Sequence, residues 1–219
     1  MTKNQLLAVV AVLVLMVGGL AAYLWMAPGP SGSTAAESGS GGYTLTATDR
    51  TLGNKKAKVV FIEYAAPSCP HCAAFNEQVF PTLKANYIDT GKMLYVFRVF
   101  PLRPDDGAAE KIARCLPEDK YFSFIDLLFR NQPIWDVEFG VTDVHGGLVR
   151  LGRMAGLSAE QVDKCIDNSA EDDRINTVAA EGERRYAVNS TPTLILNGNK
   201  IGNASAAELG KLIDAELAK

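Results

Sequence analysis

Two cysteines two residues apart, Cys69 and Cys72 in "YAAPSCPHCAAFNEQVF", are the residues of this 219-residue chain best suited to chemistry. A pair at this spacing can bind metal, staple the chain, or shuttle electrons by thiol–disulfide exchange. A metal site should add a second CxxC or two histidines at ligand spacing. Here the other cysteines, Cys115 and Cys165, are distant in sequence, and the one other histidine, His145, falls in an expected loop. A Cys/His metal-binding module and a structural staple remain as alternatives, but exchange fits the surroundings better.

Those surroundings must position the sulfurs. "KVVFIEYAA" is a nearly continuous apolar run and predicts a buried central strand. After the pair, Phe75, Val79, Leu83 and Tyr87 recur every four residues, the mark of a helix with one apolar face, which Pro81 should kink. Cys69 therefore sits at a helix N-terminus, where free N–H groups and the macrodipole favour negative charge. Its pKa is expected below the free value of about 8.5. Cys72, one turn in, is more buried and lacks that help. The asymmetry makes Cys69 the exposed nucleophile and Cys72 the residue that resolves a mixed disulfide by attacking it. Pro70 costs no hydrogen bond in the first turn. His71 can donate a hydrogen bond or lend positive charge to the Cys69 sulfur, unless it is simply an exposed helix residue. Both effects stabilise the reduced form, and about 1.4 kcal/mol of such stabilisation shifts a two-electron potential by about 30 mV. Glu63, six residues before Cys69 in the apolar strand, would be costly to bury unpaired. It either reaches solvent or a lysine, or it lies beneath the cysteines and relays the proton of Cys72.

The rest of the chain supplies the frame. "YTLTAT" alternates and predicts a short strand, and "MLYVFRVF" predicts a second buried one. From about 104 to 169 the spacing is helical, in "GAAEKIARCL", "YFSFIDLLFR", "GGLVRLGRMAG" and "SAEQVDKCIDN", the last started by a Ser158–Gln161 capping box. A further helix in "EDDRINTVAAEGERRYAV", a hairpin in "TLILNGNKIG" turning at Asn197-Gly198, and a capped helix in "SAAELGKLIDAELAK" complete the chain. This is an α/β chain, a mixed sheet with a helical block inserted in its middle.

The N-terminus indicates where the chemistry happens. Leu6 to Met26 is 21 residues without a charge. A bilayer-spanning helix needs roughly 20 apolar residues, whereas a signal-peptide apolar region is about 7–15 long. Tyr23 and Trp25 stand near its end, as interfacial rings do, Lys3 precedes it, and the next charge is Glu37. Residues 1–27 are thus expected to be a transmembrane anchor or uncleaved signal, with a cleaved signal as the alternative. Either way the domain is exported: anchored at the inner membrane with its catalytic part in the periplasm, or secreted. Residues 28–42, Gly/Ser/Pro-rich, predict a flexible linker with ends roughly 20 Å apart. A net charge of −3 argues against a nucleic-acid partner.

"CPHC" after a buried strand, together with "TPT" before a late hairpin, resembles the thioredoxin superfamily, and more closely its DsbA-like thiol:disulfide oxidoreductases. The resemblance covers 43–219 and implies a thioredoxin fold carrying the helical insertion. It implies oxidation of thiols in exported proteins, re-oxidation by a DsbB-like membrane partner, and no bound cofactor or metal. The oxidising direction comes from the resemblance; a reductase or isomerase on the same fold is the alternative. Family members carry an acid at the position matching Glu63, which favours the relay. They also place a cis-proline beside the redox pair, here Pro192, with the backbone of the preceding Thr191 pairing to a substrate strand. Four cysteines allow three pairings. With Cys69–Cys72 taken, Cys115–Cys165 remains as a structural disulfide, against the alternative of two buried reduced thiols. Closing some 50 residues is worth about 4 kcal/mol at most. Many relatives carry an aromatic residue directly before the first cysteine, and this chain has Ser68. The surface beside the pair should therefore be less apolar and the substrate range narrower.

Overall fold

The computed structural model describes residues 42–219 and the backbone of Glu37–Ser38. The expected membrane segment and nearly all of the expected linker lie outside the described residues. Among the described residues no helix is long and apolar enough to cross a membrane. Strand β1 (Glu37–Ser38) pairs antiparallel with β2 (Thr44–Leu45) in a ladder of its own. The expected strand "YTLTAT" thus supplies only two paired residues, outside the main sheet. The edge of that sheet is instead β3 (Arg50–Gly53), a half-buried segment too short and polar to stand out in sequence.

Strand β4 (Val59–Ala65) is buried throughout. Its alternation splits the core in two. Val59, Phe61 and Ala65 face one cluster, and Val60, Ile62 and Tyr64 face the other. Glu63 falls in the register of the first face. Helix α1 (Pro70–Gln78) follows, and its backbone breaks at Val79 before α2 (Phe80–Leu83) and a π turn at Lys84–Ile88. The expected long helix is therefore interrupted near Pro81, which lacks an N–H and crowds the carbonyl four residues back. Strand β5 (Met93–Val99) returns parallel to β4, completing a βαβ unit.

The inserted block holds α3 (Pro104–Cys115), α4 (Tyr121–Arg130), α5 (Gln132–Trp135), α6 (Val144–Met154) and α7 (Ala159–Ile166). Its core is aromatic and aliphatic: Tyr121, Leu128 and Trp135 are fully buried, each side chain worth about 1.5–3 kcal/mol in area removed from water. His145, expected in a loop, lies in the first turn of α6, because Asp143 caps that helix through the Gly146 N–H. Its Nε2 is 3.1 Å from Asp163 Oδ1 on α7.

Helix α8 (Ser169–Tyr186) crosses the second face of the sheet. Gly182 lets it lie against Tyr64, since a Cβ there would fall 2.7 Å from the tyrosine ring. The hairpin of β6 (Thr193–Leu196) and β7 (Asn199–Ile201) turns through Asn197 and Gly198, both at positive φ. Helix α9 (Ala206–Leu217) is capped by Ser205 and Glu208. The sheet order is β3-β5-β4-β6-β7, with β4 and β5 parallel and every other pair antiparallel. The expected mixed sheet with a helical insertion is therefore present.

Candidate active site

The central strand β4 ends at Ala65, and four residues later Cys69 becomes the N-cap of α1. Its backbone is extended (φ −74°, ψ 118°) and its Sγ accepts the Cys72 N–H at 3.4 Å. Pro70 fills the first helical position, where a missing N–H removes no helix bond. Opposite the sulfur lies the Thr191–Pro192 peptide, which is cis. The Cys69 thiol donates to the Thr191 carbonyl at 3.4 Å. The fold thus brings together two segments 122 residues apart in sequence.

The donors around the sulfur favour the thiolate of Cys69, whereas the Thr191 carbonyl can accept only from the neutral thiol. The Cys69 pKa is lowered to about 6, chiefly by the hydrogen bond from the Cys72 thiol, with help from Thr191 and the backbone N–H groups of Cys72 and His71; burial opposes them. The Thr191 hydroxyl is buried and has no other hydrogen-bond partner among the described residues. Cys72 moves the other way. Burial pushes its thiol well above the usual range, and its hydrogen bond to Cys69 and the charge of Glu63 add to that. Both thiols are free.

One expectation needs correcting. Cys69 is not exposed: it keeps 4% of its surface, against 0% for Cys72. What separates the two sulfurs is the hydrogen bonding at the helix N-terminus, which lowers Cys69, and the burial that raises Cys72. His71 is exposed, and its contribution to Cys69 runs through its backbone N–H. No hydrogen bond among the described residues joins its imidazole to the sulfur.

Glu63 is 2% exposed, and Tyr95 of β5 donates to its Oε2 at 2.6 Å, while Oε1 has no partner. Among the described residues it pairs with no lysine, and it is almost wholly shielded from solvent. Burial raises its pKa to about 8, against the lowering effect of Tyr95, and the charge of Cys69 adds to the rise. An acid with a midpoint near neutrality, coupled electrostatically to both cysteines, can hold or release a proton in the working range.

Three further residues at the site carry no signal in the sequence. Tyr95 looked like one more apolar strand position. Asp106, fully buried at the start of α3, accepts the Ser68 N–H through Oδ1 at 2.8 Å. Gln132 of α5 donates to the Pro67 carbonyl at 2.9 Å. Ser68 itself is 2% exposed, so it adds almost nothing to the surface beside the pair.

Cys115 and Cys165 stand apart from this site and form a disulfide between the C-terminal ends of α3 and α7, closing a separation of 50 residues. The two-reduced-thiols alternative is thereby set aside. Among the described residues no group of three or more His, Cys, Asp or Glu side chains gathers as a metal site.

Comparison with known proteins agrees with this geometry. A thioredoxin family model matches residues 45–215. A Rickettsia bellii protein bearing the name of a protein-disulfide oxidoreductase is 32% identical over 78% of this chain. The chain spans between 60% and 66% of the length of that protein and its rickettsial counterparts. Disulfide bond formation protein D of Bacillus subtilis is 24% identical over 76% of each chain. The crystal structure of Wolbachia pipientis alpha-DsbA1 superposes with a TM-score of 0.73 at 28% identity, covering 80% of this chain and 93% of that one.

Proposed function

The chain belongs to the thioredoxin superfamily, in its DsbA-like group, and we propose that it is a thiol:disulfide oxidase that introduces disulfides into exported proteins. The observation that carries this reading is the Cys69 sulfur, held at a helix N-terminus with a lowered pKa and set against the cis Thr191–Pro192 peptide.

In the oxidised enzyme Cys69 and Cys72 share a disulfide. A substrate thiolate attacks the Cys69 sulfur, a substrate–Cys69 bond forms, and Cys72 leaves as a thiolate. Cys72 is strongly disfavoured as a thiolate, so it takes a proton at once, and Glu63 is the acid in reach of that task. A second substrate thiolate then attacks the substrate sulfur of the mixed disulfide. The substrate disulfide forms and Cys69 departs as the stabilised thiolate. Two electrons have passed from substrate to enzyme. Thr191 serves as the strand-like contact for the substrate backbone beside Pro192, and Pro70 and His71 tune the thiolate.

The proposal includes an inner-membrane anchor at 1–27, a periplasmic catalytic domain, and a DsbB-like membrane protein that removes the two electrons. What supports it is the uncharged stretch Leu6–Met26 and the disulfide Cys115–Cys165, which suits an oxidising compartment. A reductase or isomerase would use the same groups in reverse. The direction is decided by the equilibrium of Cys69–Cys72 with glutathione. A potential far above about −270 mV, the poise of a reducing thioredoxin, is the expected result. A value at or below that figure overturns the oxidase reading.

A further inference from the structure

The main-chain groups of the loop that delivers Cys69 are tied from several directions. The Ala65 carbonyl accepts from the Phe100 N–H at 2.8 Å, and the Ala66 carbonyl accepts from the Cys69 N–H at 3.0 Å. The next two residues are satisfied by side chains. The Pro67 carbonyl is taken by Gln132 Nε2 at 2.9 Å, and the Ser68 N–H by Asp106 Oδ1 at 2.8 Å. Both side chains come from the inserted helical block, and both are buried, Gln132 to 3% and Asp106 to 0% exposure.

Asp106 does more than cap its own helix. Its Oδ2 accepts the Leu102 and Arg103 N–H groups at 2.9 and 3.0 Å, the capping arrangement of α3. That leaves Oδ1 to reach across 38 residues of sequence to the redox loop. A capping aspartate needs no such second contact, and its burial at 0% exposure is unfavourable for the charged form. The three N–H donors offset that cost. Ser68 is part of the same arrangement. Its side chain is buried at 2% exposure beside the Asp106 carboxylate, to which it also hydrogen-bonds.

We propose that Asp106 and Gln132 are positioning residues for the redox reaction: through them the helical insertion holds Pro67–Ser68 so that the Cys69 sulfur stays at the N-terminus of α1 and against Thr191. Neither residue touches the sulfur. Each removes a degree of freedom from the turn that carries it. When either tie is lost, a buried main-chain group is left unpaired and the turn relaxes to find water. The Cys69 sulfur then drifts from the Cys72 N–H that donates to it and from the Thr191 carbonyl that accepts from it, both weak 3.4 Å contacts that are sensitive to small displacements.

This inference rests on Cys69 being the reacting thiolate, and the unaltered protein tests that separately, since its thiolate absorbance should titrate near pH 6. The experiment compares full-length Asp106→Asn and Gln132→Met with the parent by thiolate titration, glutathione equilibrium and thermal unfolding. Gln132→Met keeps the shape and removes the donor; Asp106→Asn keeps the shape and weakens the acceptor. The expected result is a Cys69 midpoint raised by about one unit, the worth of a weakened hydrogen bond to the charged form, and a glutathione equilibrium constant about tenfold less oxidising. Variants that lose thermal stability but keep the parent's midpoint and equilibrium constant overturn the proposal, because a purely structural tie would do that. If Asp106→Asn does not fold, the Gln132→Met titration decides alone. A parent that shows no low-pKa thiolate overturns the premise about Cys69 rather than the clamp.

Discussion

Tyr95 donates its hydroxyl to one oxygen of Glu63 at 2.6 Å and leaves the other oxygen of that buried carboxyl without a partner. The two side chains come from neighbouring parallel strands, β4 and β5, on the sheet face that also packs the cysteines. The pair is therefore a proton-holding acid with one end fixed and one end free, on the face where Cys72 must gain or lose a proton. Burial favours the neutral acid and Tyr95 favours the charged one; burial wins, and the midpoint settles at about 8.

Glu63→Gln tests that balance through stability. The folded protein holds a proton on Glu63 up to about pH 8, whereas the unfolded chain releases it near 4.5. Folding is thus most favoured below the unfolded midpoint, and stability falls as pH rises from there towards 8. Glu63→Gln removes that slope. Chemical denaturation between pH 4 and 9 should show the variant more stable than the parent at pH 9, by an amount on the order of a few kcal/mol. A slope unchanged by the substitution would show that another group is responsible. Tyr95→Phe has the opposite sense: the midpoint of Glu63 moves further up, and the slope extends to higher pH.

Cys72→Ser tests the division of labour between the sulfurs. Without Cys72, a mixed disulfide on Cys69 loses its internal escape. Non-reducing gels of cells expressing the variant should show adducts that disappear on reduction and are absent from a Cys69→Ser, Cys72→Ser double variant. A Cys72→Ser protein that stays free of adducts would remove the exchange mechanism's main support.

Much of this site was legible because it is local. The strand-to-helix junction, the N-terminal cysteine and the proline in the first turn are set by periodicity and by residues within one turn of each other. Asn197-Gly198 and the Ser158–Gln161 and Ser205–Glu208 boxes announce themselves in the same way. Tyr95, Asp106 and Gln132 were not legible, since their partners lie 32, 38 and 65 residues away and neither spacing nor residue type points to them. The burial of Cys69 was also missed, because a helix N-terminus says which charge is favoured and nothing of what folds over it. Arg50–Gly53 escaped because an edge strand of four residues carries too little pattern to be seen.

The Cys115–Cys165 disulfide should matter to stability and little to exchange. It ties α3 to α7 within the insertion and closes a 50-residue separation. The double variant Cys115→Ser, Cys165→Ser should unfold at lower denaturant, with a loss of about 2–4 kcal/mol. Its Cys69 thiolate should titrate as in the parent, and its rate of substrate oxidation should change less than twofold. A large fall in rate with the Cys69 titration intact would assign the second disulfide a part in the reaction itself.

Thr191→Val isolates the threonine hydroxyl from its main chain. The carbonyl that meets the Cys69 sulfur at 3.4 Å is kept, the side-chain volume is nearly the same, and only the buried hydroxyl is lost. That hydroxyl helps hold the thiolate, so its removal raises the Cys69 pKa above about 6, by about one unit if it acts as a single hydrogen bond to a charged group. The sign for the redox equilibrium follows. A less stabilised thiolate makes the reduced enzyme less favourable, and the disulfide becomes a weaker oxidant by about tenfold in its equilibrium with glutathione. A protein that unfolds as the parent does and yet is less oxidising separates the hydroxyl's effect on the sulfur from any effect on folding. An unchanged titration midpoint in Thr191→Val would leave the N–H groups of α1 and the Cys72 thiol as the sole holders of the Cys69 charge.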